Sequence, residues 1–128
     1  ALSAAGLDSD DGLQVVTDFS LRGAQRAFEQ LFSRPDPPTA IVAENDELAF
    51  GVLAAARAHG VAVPDDLSVG GIDDHEVAAA MGLTTIAQPV ASLGEVAAWQ
   101  ALGGASEPAQ VVMPTSLIVR SSSRRMTL

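Results

Sequence analysis

The residues best equipped for chemistry sit together in the run Asp73-Asp74-His75-Glu76, at the end of the stretch VPDDLSVGGIDD. A carboxylate beside an imidazole can act as a general acid or base, and Asp with His can ligate a divalent ion. Both uses require side chains that converge on one point. Neighbours at the start of a helix diverge, and no second His or Cys cluster in the sequence joins them. The other histidine, His59, precedes Gly60 and reads as a dipole partner at a helix C-terminus. The run therefore predicts recognition rather than catalysis: no enzyme, no metal site and no cofactor.

A proline-and-acid turn leads into the short strand SVGGI, which delivers Asp73 and Asp74 at its carboxyl end. In an open α/β sheet ligands gather at that end, where loops and helix starts meet. Two further stretches repeat the arrangement. LQVVT (Leu13 to Thr17) reads as a buried strand ending on Asp18-Phe19-Ser20, and AIVA (Ala40 to Ala43) as a strand opening into Glu44, Asn45, Asp46 and Glu47.

Helices must connect these strands. Ala24, Ala27, Phe28, Leu31 and Phe32 recur at helical spacing from Leu21 onward, and Pro35, Pro37 and Pro38 end the pattern. LAFGVLAAARAHG is a second helix, with Asn45 or Asp46 as its N-cap and acids in its first turn. A short helix is expected around Glu76 to Met81, then the strand TTIA, then the helix PVASLGEVAAWQALGG. QVVMPTSLIVRSS reads as two β-segments around Pro114, and ALSAAG as a helix tail closed by Gly6. Strands alternating with helices predict an α/β fold: an open, mainly parallel sheet flanked by helices.

Composition sets the bounds. The 128 residues amount to one domain, long enough for a real core. With 7 Lys+Arg against 16 Asp+Glu, the formal net charge of −9 repels phosphate backbones. Arg120, Arg124 and Arg125 read as a solubilising tail rather than a nucleic-acid patch. There are no cysteines, hence no disulfides or thiolate metal sites. Neither a transmembrane run nor a signal peptide is visible, which points to the cytoplasm.

The motifs PPTAIVAENDELAFGVL, VPDDLSVGGIDD, LTTIAQPVASLG and SLIVRSSS, in this order, resemble the C-terminal half of the regulatory core of LacI/GalR-family transcription repressors. The resemblance covers about Leu13 to Ser123. It implies most of one lobe of a type I periplasmic-binding-protein-like fold, so that 1–128 is a partial effector-binding domain, the C-terminal lobe. The helix-turn-helix DNA-binding domain and the N-terminal lobe would lie upstream of Ala1. The implied function is effector sensing in a ligand-gated regulator, with a small molecule, a sugar or a nucleobase-like compound, bound between two lobes. The alternative within the same fold is a sugar-binding solute-binding protein of a transport system.

The resemblance assigns the effector to Phe19, Asn45, Asp73 and Gln88. Phe19 offers a flat apolar face, Asn45 and Gln88 amides that donate and accept at once, and Asp73 a carboxylate for vicinal hydroxyls. Asp46 is left to cap its helix and Asp74 the short helix that follows. Val90 stands where some sugar-binding members carry an aromatic, so the stacking wall is thinner here. DNA contact falls to the upstream domain, and homodimer contact to Phe50, Val77 and Met81. In the fold resembled, an upstream strand lies between Leu13–Thr17 and Ala40–Ala43. Without it, the family's full sheet order cannot be built from these residues alone, and two open edges face each other.

Overall fold

The sheet is built from its centre outward in the computed structural model, which describes residues 6, 11–103 and 110–125. Strands β1 (Ala40–Val42), β2 (Ser68–Asp73) and β3 (Thr84–Ala87) run parallel, and β4 (Ser116–Ile118) pairs antiparallel to β3. Their order in the sheet is β1-β2-β3-β4. Among the described residues three α-helices complete the frame, α1 (Leu21–Phe32), α2 (Asp46–Ala58) and α3 (Val90–Ala101), with a short 3-10 turn at Asp11–Leu13. The α/β, mainly parallel architecture is the one the sequence predicts.

Helix α1 starts where Ser20 accepts a hydrogen bond from Gly23 N, and it buries Ala24, Phe28 and Leu31, residues of its apolar stripe. It packs against α2 at very close range. A Cβ at Gly51 would stand 2.5 Å from Ala24 Cβ and 2.8 Å from the Leu21 carbonyl oxygen, so only glycine lets the two backbones approach this far. Helix α2 then lays Ala49, Val52, Ala55 and Ala56 over Leu67, Val69 and Leu83, and these small and branched side chains form the core. Helix α3 buries none of its residues; Val90, Trp99 and Leu102 at and beside it are exposed.

Four expectations need correction. Residues Leu13 to Thr17 form no strand. They lie beside the outer edge of β1 across a cavity of about 460 Å³, lined by Leu13, Val15, Thr17, Ile41 and Val42 among others. A strand exists only where it has a neighbour to hydrogen-bond, and here the cavity separates the two stretches. Residues 76–82 form successive turns, closed by Ala78 N to His75 O at 2.7 Å and Met81 N to Val77 O at 3.0 Å, instead of a helix. The tail contributes one β-segment, β4, rather than two. The helix tail expected over ALSAAG lies outside the described residues except for Gly6, whose φ of 70° is left-handed.

The fourth correction concerns the Ser-Arg tail, which is structural. Ser122 is buried; its Oγ donates to the Val69 carbonyl at 2.6 Å and accepts from Thr84 N at 2.8 Å. The Ser122 carbonyl also accepts from Val69 N at 2.7 Å. Arg124 donates to the carbonyls of Pro64 at 3.2 Å and Asp65 at 2.8 Å, bracing the turn before β2. The expected result of Ser122→Ala is a loss of about 3 kcal/mol in unfolding free energy, because one acceptor and one donor are left buried and unpaired. A lower urea midpoint with an unchanged m-value would register it.

Candidate functional site

Because β1, β2 and β3 are parallel neighbours, their carboxyl ends share one edge of the sheet. Asn45 follows β1, Asp73 closes β2, and Gln88 follows β3. Register brings two of these into contact. Asp73 pairs with Ala87 across the β2–β3 ladder, and Gln88 Nε2 donates to Asp73 Oδ1 at 2.7 Å. Both side chains are exposed. A carboxylate oxygen and an amide thus stand side by side, ready to accept from hydroxyls and to exchange hydrogen bonds with them.

The turn that presents Asp73 is strained. Asp73 has φ 120° and Asp74 φ 54°, and each such non-glycine residue costs about 1–3 kcal/mol. Anchors on the far side hold it. Asp74 Oδ1 meets Arg120 Nη2 at 2.7 Å, and Arg120 Nη1 also donates to the Leu83 carbonyl at 2.7 Å. Asp74 N donates to Thr85 Oγ1 at 3.3 Å, and His75 N to Asp46 Oδ2 at 2.8 Å. Asp74 is therefore an ion-pair partner and not the cap of a helix, and Arg120 belongs to this site's support rather than to a solvated tail.

Asn45 and Asp46 divide their roles differently from the expected split. Asn45 caps α2, its Oδ1 accepting from Leu48 N at 2.8 Å, while Asp46 is buried and reaches Thr85 and the turn. The cap uses only the amide oxygen; Nδ2 has no partner among the described residues. Phe19 is 69% exposed and lines the cavity beside β1 together with Glu44, a cavity whose lining includes neither Asp73 nor Gln88. The His75 ring meets Phe50 edge-on, with centroids 5.8 Å apart, and its Nδ1 accepts from Val77 N at 3.2 Å. Asp73, Asp74 and His75 thus meet different partners, Gln88, Arg120 and Phe50, and among the described residues no group of three His, Cys, Asp or Glu side chains could hold a metal ion.

Sequence reasoning missed Asp46, Thr85, Arg120 and Ser122 as the framework. Asp46 alone carried a signal, as one acid more than a capped helix start needs.

Residues 1–123 match the family described as periplasmic binding protein-like domain. The chain is 39% identical over 129 residues to the HTH-type transcriptional regulator DegA of Bacillus subtilis (strain 168), covering 96% of this chain and 38% of that protein. The chain belongs to the LacI/GalR family. A solved LacI transcriptional regulator from Bacillus cereus subsp. cytotoxis NVH 391-98 superposes with a TM-score of 0.88 at 26% identity, over 98% of this chain and 47% of that one. The transcriptional regulator CelR in complex with cellobiose gives 0.83 at 32% identity, over 95% and 39%. This LacI/GalR chain thus spans less than half the length of each of these proteins. It is part of the effector-binding core, with the periplasmic-binding-protein-like fold, and no helix among the described residues is long and apolar enough to cross a membrane.

Proposed function

We propose that these residues supply one wall of the effector pocket in a ligand-gated transcriptional repressor, and that the effector is a sugar. The observation that carries this reading is the exposed Asp73–Gln88 pair, held on a strained turn at the sheet's carboxyl edge. Strain of that kind persists where a side chain must be presented in one direction. The cellobiose complex of a relative at 32% identity supports a polyhydroxyl ligand. Asn45, through Nδ2, and Phe19, as an apolar face, complete the set of contacts.

A sugar that bridges two lobes stabilises one lobe orientation, and DNA affinity follows because the two states differ in affinity for the effector. No bond is made or broken. DNA is held by a domain outside these residues, in the cytoplasm, and a second copy pairs through the half-exposed Phe50, Val77 and Met81. Screening the whole protein by thermal shift against cellobiose, ribose, sucrose and free nucleobases tests the reading. The sugar effector, at about 100 times its Kd, adds roughly 2.7 kcal/mol of stability and raises Tm by several degrees. A rise with nucleobases alone would overturn the sugar assignment.

A further inference from the structure

We propose that Asp46 is a positioning residue for the effector site, its buried carboxyl group fixing the turn from Asp73 to His75 in the shape that aims Asp73 at the ligand. The inference rests on the reading of Asp73 as the ligand's acceptor and adds what holds it.

Asp46 is 1% exposed, and it is not needed as a cap because Asn45 does that work. A buried carboxyl group is tolerated only when its oxygens are hydrogen-bonded. Here each has one donor, and the donors come from different elements: Thr85 Oγ1 in β3 bonds Oδ1 at 2.6 Å, and His75 N beyond β2 bonds Oδ2 at 2.8 Å. One side chain on α2 therefore fastens both the neighbouring strand and the turn. Thr85 Oγ1 passes the tie on, accepting from Asp74 N at 3.3 Å.

Strand β2 is shaped for this reach. A Cβ at Gly71 would collide with Asp46 Oδ1, and it would also stand 3.2 Å from Leu83 Cδ2 and 3.3 Å from Ala49 Cβ. Gly71, the second glycine of VPDDLSVGGIDD, thereby leaves the room beside the strand that the carboxyl group occupies. At the other end of the turn the two carboxylates are separated by their partners. Arg120 engages Asp74, whereas the side-chain partner of Asp73 among the described residues is Gln88, an uncharged group that a sugar can displace or join. Asp46 and Arg120 hold the backbone, and Asp73 is left for the ligand.

The test uses the whole protein with Asp46→Asn, Thr85→Val and Thr85→Ser. Asparagine at 46 turns an N–H donor toward Thr85 or His75, whose own groups donate. Valine at 85 removes the hydroxyl at nearly constant volume, and serine restores it. Hydrogen exchange read at the amides of Asp74 and His75 should quicken about tenfold or more in Asp46→Asn and Thr85→Val, with α2 amides still protected and Thr85→Ser near the parent. Affinity for cellobiose, ribose and sucrose, measured by calorimetry, should fall about tenfold in the first two variants for whichever of these binds the parent. Parental exchange at both amides in both variants would overturn the proposal. So would parental sugar affinity in both variants alongside lost binding in Asp73→Ala, an outcome that leaves the site reading intact. Unchanged sugar binding in Asp73→Ala would instead remove the site reading, and the exchange rates alone would then decide whether Asp46 fixes the turn.

Discussion

Asp73→Ala is expected to weaken sugar binding by the whole regulator about 100-fold, without loss of fold. A carboxylate that accepts from two hydroxyls makes two charge-assisted bonds, each worth about 1.5–3 kcal/mol. Part of that is offset because water can reach the exposed site and take over the stranded hydroxyls. A net loss near 3 kcal/mol, or about 100-fold in Kd, is the balance. Two companion variants separate charge from geometry. Asp73→Asn keeps an oxygen for Gln88 and loses the charge, so it should fall between parent and alanine. Asp73→Gly relieves the backbone at φ 120°, and its stability should hold or rise while affinity still collapses. Calorimetric affinities within twofold of the parent for Asp73→Ala would remove Asp73 from the pocket.

Much of the fold was legible because it is written in local spacing. The apolar stripe of α1, the proline stop after it, the Asn-Asp start of α2 and the TTIA strand all follow from short-range patterns, and all four are in the structure. What could not be read were contacts between residues far apart in the chain. Asp46 meets His75 across 29 residues and Thr85 across 39, and Arg120 meets Asp74 across 46. Locally, Asp46 is simply a good cap and Arg120 simply a basic tail. Tertiary partners override both.

The segment Leu13 to Thr17 failed for a different reason. Its β-branched pattern is that of a strand, but a ladder also needs a neighbour, and across the cavity none of the described residues pairs with it. Of the candidate site, the positions of Asn45, Asp73 and Gln88 at strand ends were legible. The contact between Asp73 and Gln88 depended on the β2–β3 register, which no short-range pattern specifies.

The same cavity sets the size of the stability effect expected in the hydrophobic core. Phe28 is fully buried, stacked on Phe32 with centroids 4.3 Å apart and tilted against His59 at 5.4 Å, and it forms part of the cavity's lining. Phe→Ala in a core costs about 3–5 kcal/mol, the upper values belonging to sites that leave a closed void. At position 28 the vacated space would join an existing opening, so solvent fills part of it and the expected cost is about 3 kcal/mol. Leu83→Ala offers the contrast. Leu83 is fully buried beside Gly71 and away from that cavity, so although its side chain is smaller its loss should approach or match that of Phe28. Urea unfolding of both variants measures the difference. A loss for Phe28→Ala well below about 1 kcal/mol would mean that α1 is not part of the cooperative core. It would then also fail to hold Phe19, which directly precedes the Ser20 cap of α1, in place for a ligand.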